Sequence, residues 1–171
     1  MKPSKPSTSA SERNVRPVVL HTKDIDAMEN ESFPDPSHGI VSWKTLLSAP
    51  KTPTDTFTVG IGTCPPGSTT SCPAQTISPT PGHLKLHRHA HPEIYYVTDG
   101  KGLVTIDGIE HEVQKGSVVF IPGNAEHGIK NVGNGKNKSE GNLVWLYAFA
   151  ADSFGQVVYR FDEPGPGKKE E

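Results

Sequence analysis

Two histidines separated by one residue, His87 and His89, stand just upstream of a carboxylate at Glu93, and a further histidine, His127, follows a Gly- and Asn-rich turn. This set constrains the fold more than any other feature, because all four side chains must be carried to one point. In an extended strand alternate side chains share a face, so His87 and His89 point the same way. Glu93 opens the run Ile94-Tyr95-Tyr96-Val97, which is rich in strand formers. Residues 90–92 form the short link that lets the chain fold back and bring Glu93 towards the two histidines. A later strand over 117–122 leads into the turn that delivers His127. Three imidazoles and one carboxylate suit a first-row divalent metal, and neighbouring strands are a rigid way to preorganise them.

The spacings are specific. The first stretch reads H-x-H, three residues, E, six residues, G, which is met by His87, His89, Glu93 and Gly100. The second reads G, five residues, P, four residues, H, three residues, N, which is met by Gly116, Pro122, His127 and Asn131. Together they resemble the two signature motifs of the cupin superfamily. Two departures fall on loops: Gly82 lies one residue closer to His87 than the family's usual glycine, and Asn124 stands where a glycine usually follows the proline. Neither touches a ligand. The resemblance implies an all-β fold, a single antiparallel β-barrel or jelly roll. It also implies one divalent transition metal per chain on His87, His89, Glu93 and His127, with iron(II) favoured and manganese, nickel or zinc as alternatives, and no organic cofactor.

The rest of the chain fits that architecture. At 171 residues it has one-domain length, and 33% hydrophobic residues with 17 Gly and 16 Pro suit short strands joined by many turns. Short strands are expected over 18–20, 40–47, 57–61, 102–106, 110–113, 117–121, 129–132, 143–150 and 156–161, with Asp107-Gly108 as a hairpin turn. A polar segment over 24–39 is expected to be loop, with one helical turn near Ile25 to Met28. Residues 1–17 and 163–171 read as disordered tails around one barrel domain over 18–162. Residues 64–82, rich in Ser, Thr and Pro, read as an inserted loop near the barrel mouth, either a binding loop or a passive insertion. Cys64 and Cys72 are expected as free thiols.

A net charge of −2 gives no electrostatic footprint for nucleic acid or an anionic membrane. No window has the apolar length of a transmembrane helix, and no secretory signal is apparent at the start. The expected location is therefore the cytoplasm, and the expected partners are a small-molecule substrate and a second copy of the chain, paired through edge strands.

Beyond the ligands, Tyr95 shares parity with Glu93 and should project inward beside the metal, either as core packing or as a group that binds substrate or moves a proton. His91 precedes Pro92 in the link and is either a rim residue or a second proton carrier. Trp145, Tyr147 and Phe149 share one face of a strand as a core stripe or pocket wall. Asn131 is expected to fasten a turn, and His83 and His111 to face solvent. The leading expectation for chemistry is a non-haem dioxygenase. The alternatives are a non-redox isomerase, lyase or decarboxylase with the metal as Lewis acid, with Tyr95 or His91 moving the proton, and a cupin that only binds.

Overall fold

The computed structural model describes residues 15–67, 80–133 and 141–161. Ten strands carry the fold: β1 (Gly39–Ile40), β2 (Ser42–Leu47), β3 (Thr58–Cys64), β4 (His83–His87), β5 (Glu93–Asp99), β6 (Lys101–Ile106), β7 (Ile109–Gln114), β8 (Val118–Ile121), β9 (His127–Asn131) and β10 (Leu143–Phe149). They form two five-stranded sheets, ordered β1-β4-β9-β6-β7 and β2-β3-β10-β5-β8, and every pairing is antiparallel. The all-β expectation is met. The core lies between the sheets, where Tyr95, Val97, Val104, Ile121, Ile129, Leu143 and Phe149 are buried.

Alternation writes this arrangement into the strands. Along β10, Leu143, Trp145, Tyr147 and Phe149 are buried while the residues between them are less so, and β5 repeats the pattern through Glu93, Tyr95 and Val97. On β3 the inward positions include Gly60 and Gly62, which pair in register with Tyr147 and Trp145. A side chain at either glycine would collide with the facing aromatic ring, so the two glycines are what let those rings lie flat across β3. At the β6–β7 hairpin Asp107 and Gly108 both have positive φ, 46° and 80°, as a type I′ turn requires.

Several boundaries differ from expectation. The expected strand over 40–47 is split at Val41, so that β1 joins β4 in one sheet while β2 joins β3 in the other. Residues 18–20 stay outside both sheets, with Val19 74% exposed. The helical turn arrives as α1 (Thr22–Asp26), slightly before its expected place; the Asp24 carboxylate accepts from the His21 amide at its start, and Lys44 Nζ donates to the Ile25 and Asp26 carbonyls at its end. Residues 156–161 are not a strand. A 3₁₀ turn over Phe154–Gln156 leads into an extended strap whose one bridge among the described residues joins Arg88 with Arg160. The expected tails, apart from residues 15–17, and most of the 64–82 insertion lie outside the described residues.

Candidate metal centre

β4 and β9 are neighbours, and His87 pairs with His127 in register, so both imidazoles point between the sheets. β4 ends at His87. The chain stays extended through Arg88, which exchanges both backbone hydrogen bonds with Arg160 at 2.9 Å, and so returns His89 to the same face. The turn after β8 then supports His89 directly: the Asn124 amide donates to the His89 carbonyl at 2.7 Å. Gly123 passes so close to the Ala90 carbonyl that any side chain there would strike it. Glu93 comes from the opposite sheet, at the start of β5. The centre therefore joins the two sheets.

One ring nitrogen from each of His87, His89 and His127 lies within 4.8 Å of the other two, and the three residues are at most 1% exposed. Their Nδ1 atoms face backbone carbonyls: Lys85 at 2.9 Å, His91 at 2.8 Å and Ala125 at 2.9 Å. A carbonyl can only accept, so the ring proton belongs on Nδ1 and Nε2 presents a lone pair. Glu93 Oε2 stands 3.4 Å from His89 Nε2 and 3.2 Å from His127 Nε2. All three Nε2 atoms and this carboxylate oxygen are buried without a hydrogen-bond partner. Lone pairs converging on one another in a dry interior are costly unless something positive lies between them. A divalent cation fits that need, and imidazole with carboxylate is the donor chemistry it takes. Burial holds the His87 ring well below the usual histidine range, and the neighbouring His127 and His89 add to this while the Lys85 carbonyl opposes it. Neutral imidazole is the ligating form.

Beside the cluster is a narrow cavity whose wall includes Phe33, Trp43, Glu93, Tyr95, Trp145, Tyr147, Phe154 and Tyr159. Only ≈ 20 Å³ of it is open to the centre of a water molecule, room for about one or two waters. Among the described residues neither lysine nor arginine lines it, and Glu93 is the one carboxylate that does. The indole Nε1 atoms of Trp43 and Trp145 are buried without partners. Tyr95 is 1% exposed. Burial pushes its phenol well above the tyrosine range, and the charge of Glu93 pushes in the same direction. Tyr159 is shifted the same way by the same two causes.

The sequence-predicted residues divide. His87, His89 and His127 come together, with Glu93 against two of them, and Tyr95 is beside them. His91 is half-buried in the link, its carbonyl holding His89 and its own Nδ1 unpartnered, and it is not among the residues lining the cavity. Asn131 ties three strands' ends together rather than any ligand: its Nδ2 donates to the Cys64 and Gly141 carbonyls at 2.9 Å, and its Oδ1 accepts from the Gly133 amide at 2.7 Å. His111 is exposed as expected, whereas His83 is half-buried with Nδ1 3.1 Å from the Pro81 carbonyl. Cys64 is a free, fully buried thiol. Sequence reasoning missed Tyr159, whose ring stacks on His87 at 4.6 Å and meets His89 edge-on at 5.5 Å. The apolar alternation Val157, Tyr159, Phe161 was visible; that the segment crosses the metal centre was not.

The family model for the cupin domain matches residues 75–146. Over 155 residues, 91% of this chain and 88% of the other, the protein is 32% identical to the dimethylsulfoniopropionate lyase DddW of Ruegeria pomeroyi. The chain belongs to the cupin family. Among solved cupin-like folds, the polyketide cyclase RemF from Streptomyces resistomycificus has a TM-score of 0.60 at 19% identity, covering 88% of this chain and 90% of that one. A predicted oxalate decarboxylase from Thermotoga maritima has a TM-score of 0.58 at 22% identity, covering 78% of this cupin and 99% of that chain. Such likeness speaks for the fold, and a cyclase and a decarboxylase on one scaffold leave the reaction to be argued from the site. Among the described residues no helix is long and apolar enough to cross a membrane.

Proposed function

We propose that this cupin is a metal-dependent lyase, that its metal sits on His87, His89, Glu93 and His127, and that its substrate is dimethylsulfoniopropionate or a close relative. The observation that carries this reading is the similarity to a lyase of that substrate along nine-tenths of the chain. The dioxygenase alternative uses the same donors, but no residue of the site selects dioxygen chemistry, so elimination is put first.

The balance of the reaction is simple. A proton leaves C2 of the propionate, a double bond forms between C2 and C3, and the C3–S bond breaks with its electron pair on sulfur. The products are acrylate, neutral dimethyl sulfide and a proton, with no oxidant consumed. A bound divalent ion would supply a Lewis acid for a carboxylate oxygen and so make the C2 proton easier to remove.

The remaining work falls to side chains. Tyr95 lies two residues past Glu93 on the same face of β5 and lines the cavity, which makes its oxygen the proposed acceptor of the C2 proton. Burial and the charge of Glu93 hold it as the phenol, so a bound cation would have to stabilise the phenolate first. His91 lies off the cavity wall and is not assigned that role. The unpartnered Nε1 groups of Trp43 and Trp145 can donate hydrogen bonds to a substrate carboxylate. The narrow, ring-lined cavity holds few waters, which strengthens each of these interactions.

The test is an anaerobic assay of the metal-loaded protein with dimethylsulfoniopropionate, with dimethyl sulfide measured in the headspace and acrylate by chromatography. Equimolar release without oxygen is expected. Failure to release either product with iron, manganese, nickel or zinc, or turnover that stops when oxygen is removed, overturns the lyase reading.

A further inference from the structure

Among the described residues the cavity wall carries aromatic rings and no lysine or arginine. A substrate carboxylate therefore has the metal centre and the two indole N–H groups to turn to, and its other end meets ring faces. Aromatic faces are poor partners for an anion and good ones for a weakly hydrated cation such as a sulfonium or quaternary ammonium group. Most of these rings belong to the barrel. Tyr159 does not: it rides on the strap after the 3₁₀ turn and lines the cavity from there.

Val157 is buried in the core and Phe161 stacks on His38 at 3.8 Å, while among the described residues the strap's hydrogen bonds to the barrel gather at Arg160. Arg160 exchanges backbone hydrogen bonds with Arg88, between two metal-binding histidines, and its guanidinium donates to Asn124 Oδ1 at 2.6 Å. Arg88 in turn donates to the Asn124 carbonyl at 3.1 Å and pairs with Glu126 at 3.4 Å. Asn124 has a left-handed backbone, φ 65°, the conformation for which glycine is usual and asparagine the best-tolerated substitute. A glycine could keep the turn, but only a side chain can also hold Arg160. The narrow part of the cavity has room for about one or two waters, so a ligand of eight heavy atoms needs more space than it offers, and a wall residue that can shift would supply it.

We infer that Tyr159 is the specificity-determining face of the site, recognising the onium end of the substrate, and that Asn124 positions it by latching the strap through Arg160. The inference rests on the lyase reading and names what that reading leaves open, namely which residue distinguishes a cationic substrate from a neutral one of the same shape.

The experiment is calorimetric titration of the metal-loaded protein with 3-(trimethylammonio)propionate and with 4,4-dimethylpentanoate, which share a carboxylate and a shape and differ in charge. Wild type should bind the cationic probe about tenfold more tightly, the scale of a desolvated cation–π contact. Tyr159→Leu should cut that ratio at least threefold while retaining metal, and Tyr159→Phe should keep it. Should Tyr159→Leu not fold, Asn124→Gly serves instead: it should lower the ratio and speed hydrogen exchange at the Arg88 and Arg160 amides. An unchanged ratio in the leucine variant, or in Asn124→Gly with the strap demonstrably loosened, overturns the inference. Dimethyl sulfide release, measured on the same wild-type preparation, judges the lyase reading separately. Release with no charge preference sinks the role of Tyr159 alone, and a Tyr159-dependent preference without release sinks elimination alone.

Discussion

Nε2 of His127 lies 3.2 Å from Oε2 of Glu93, and in the neutral ring no proton joins them. The Ala125 carbonyl claims the ring proton at Nδ1, so a lone pair faces a carboxylate oxygen, and His89 repeats the relationship at 3.4 Å. A cation between them turns this repulsion into coordination. Adding a divalent metal to chelator-treated protein should therefore raise its thermal midpoint, by about 2.7 kcal/mol of stability at a hundredfold excess over Kd. His127→Ala and His89→Ala should each abolish the increment and lower metal content well below one per chain. Elemental analysis showing undiminished metal in both variants would remove these residues from the ligand set.

The metal-free protein should lose stability on acidification, and His87 gives the sign. Its folded pKa is held below the ordinary histidine value of 6.5, first by burial. Below pH 6.5 the unfolded chain takes up a proton that the folded chain refuses, so unfolding gains protons and stability falls with pH. The loss begins near pH 6.5 and continues down towards the depressed folded value, at no more than about 1.4 kcal/mol per pH unit for this one group. Urea midpoints of metal-free wild type should fall between pH 7 and pH 5, and His87→Gln should show a shallower slope. Identical slopes would mean that His87 is not the group refusing the proton.

The proposed proton transfer by Tyr95 has its own signature. Tyr95→Phe removes one oxygen from a residue that is 1% exposed and leaves the ring packing intact. Turnover of dimethylsulfoniopropionate should drop by about 10²–10⁴-fold, the usual scale for a positioned acid or base. Metal content should be unchanged and KM should move little. A variant that keeps full kcat would transfer the role elsewhere.

How much of this was legible in the sequence depends on the range of each signal. The ligands are set by spacing within short stretches, and the parity of β5 that places Tyr95 beside Glu93 is equally local. The type I′ turn at Asp107-Gly108 needs only two residues to announce itself. Tyr159 was different. Its alternation with Val157 and Phe161 has the period of a strand, and nothing nearby says that the segment finds only Arg88 as a bridge partner and so becomes a strap. The split at Val41 was hidden for the same reason, since a continuous apolar run does not say where a chain passes from one sheet to the other. Asn124 looked like a departure from a glycine position. Its φ of 65° and its bond to Arg160 show one residue keeping the turn and adding a tether.

Asn131 should matter for stability more than for chemistry. Its side chain is 1% exposed and satisfies two carbonyls and one amide from three separate segments. Asn131→Leu strips those buried groups of their partners, at a cost of about 1–3 kcal/mol for each group left unsatisfied. The denaturation midpoint should fall sharply, while the metal content of the folded fraction stays near wild type. Loss of metal without loss of stability would instead tie Asn131 to the candidate metal ligands.

Gly62 tests the link between strand packing and the cavity. It pairs with Trp145 in register, and a methyl group there would lie inside the indole ring's own space. β3 is held on both sides by β2 and β10, so it has little freedom to withdraw. Gly62→Ala should cost about 1–3 kcal/mol as an overpacked core position. It should also push Trp145 into the cavity that the ring lines, weakening binding of the carboxylate probes with metal still bound. Gly155→Ala is the control, because its added methyl would meet nothing closer than the Ser153 hydroxyl at 3.9 Å, and it should stay within about 0.5 kcal/mol of wild type. Equal stabilities for the two variants would show that Trp145 has room to move, and that the glycines of β3 do not shape the site.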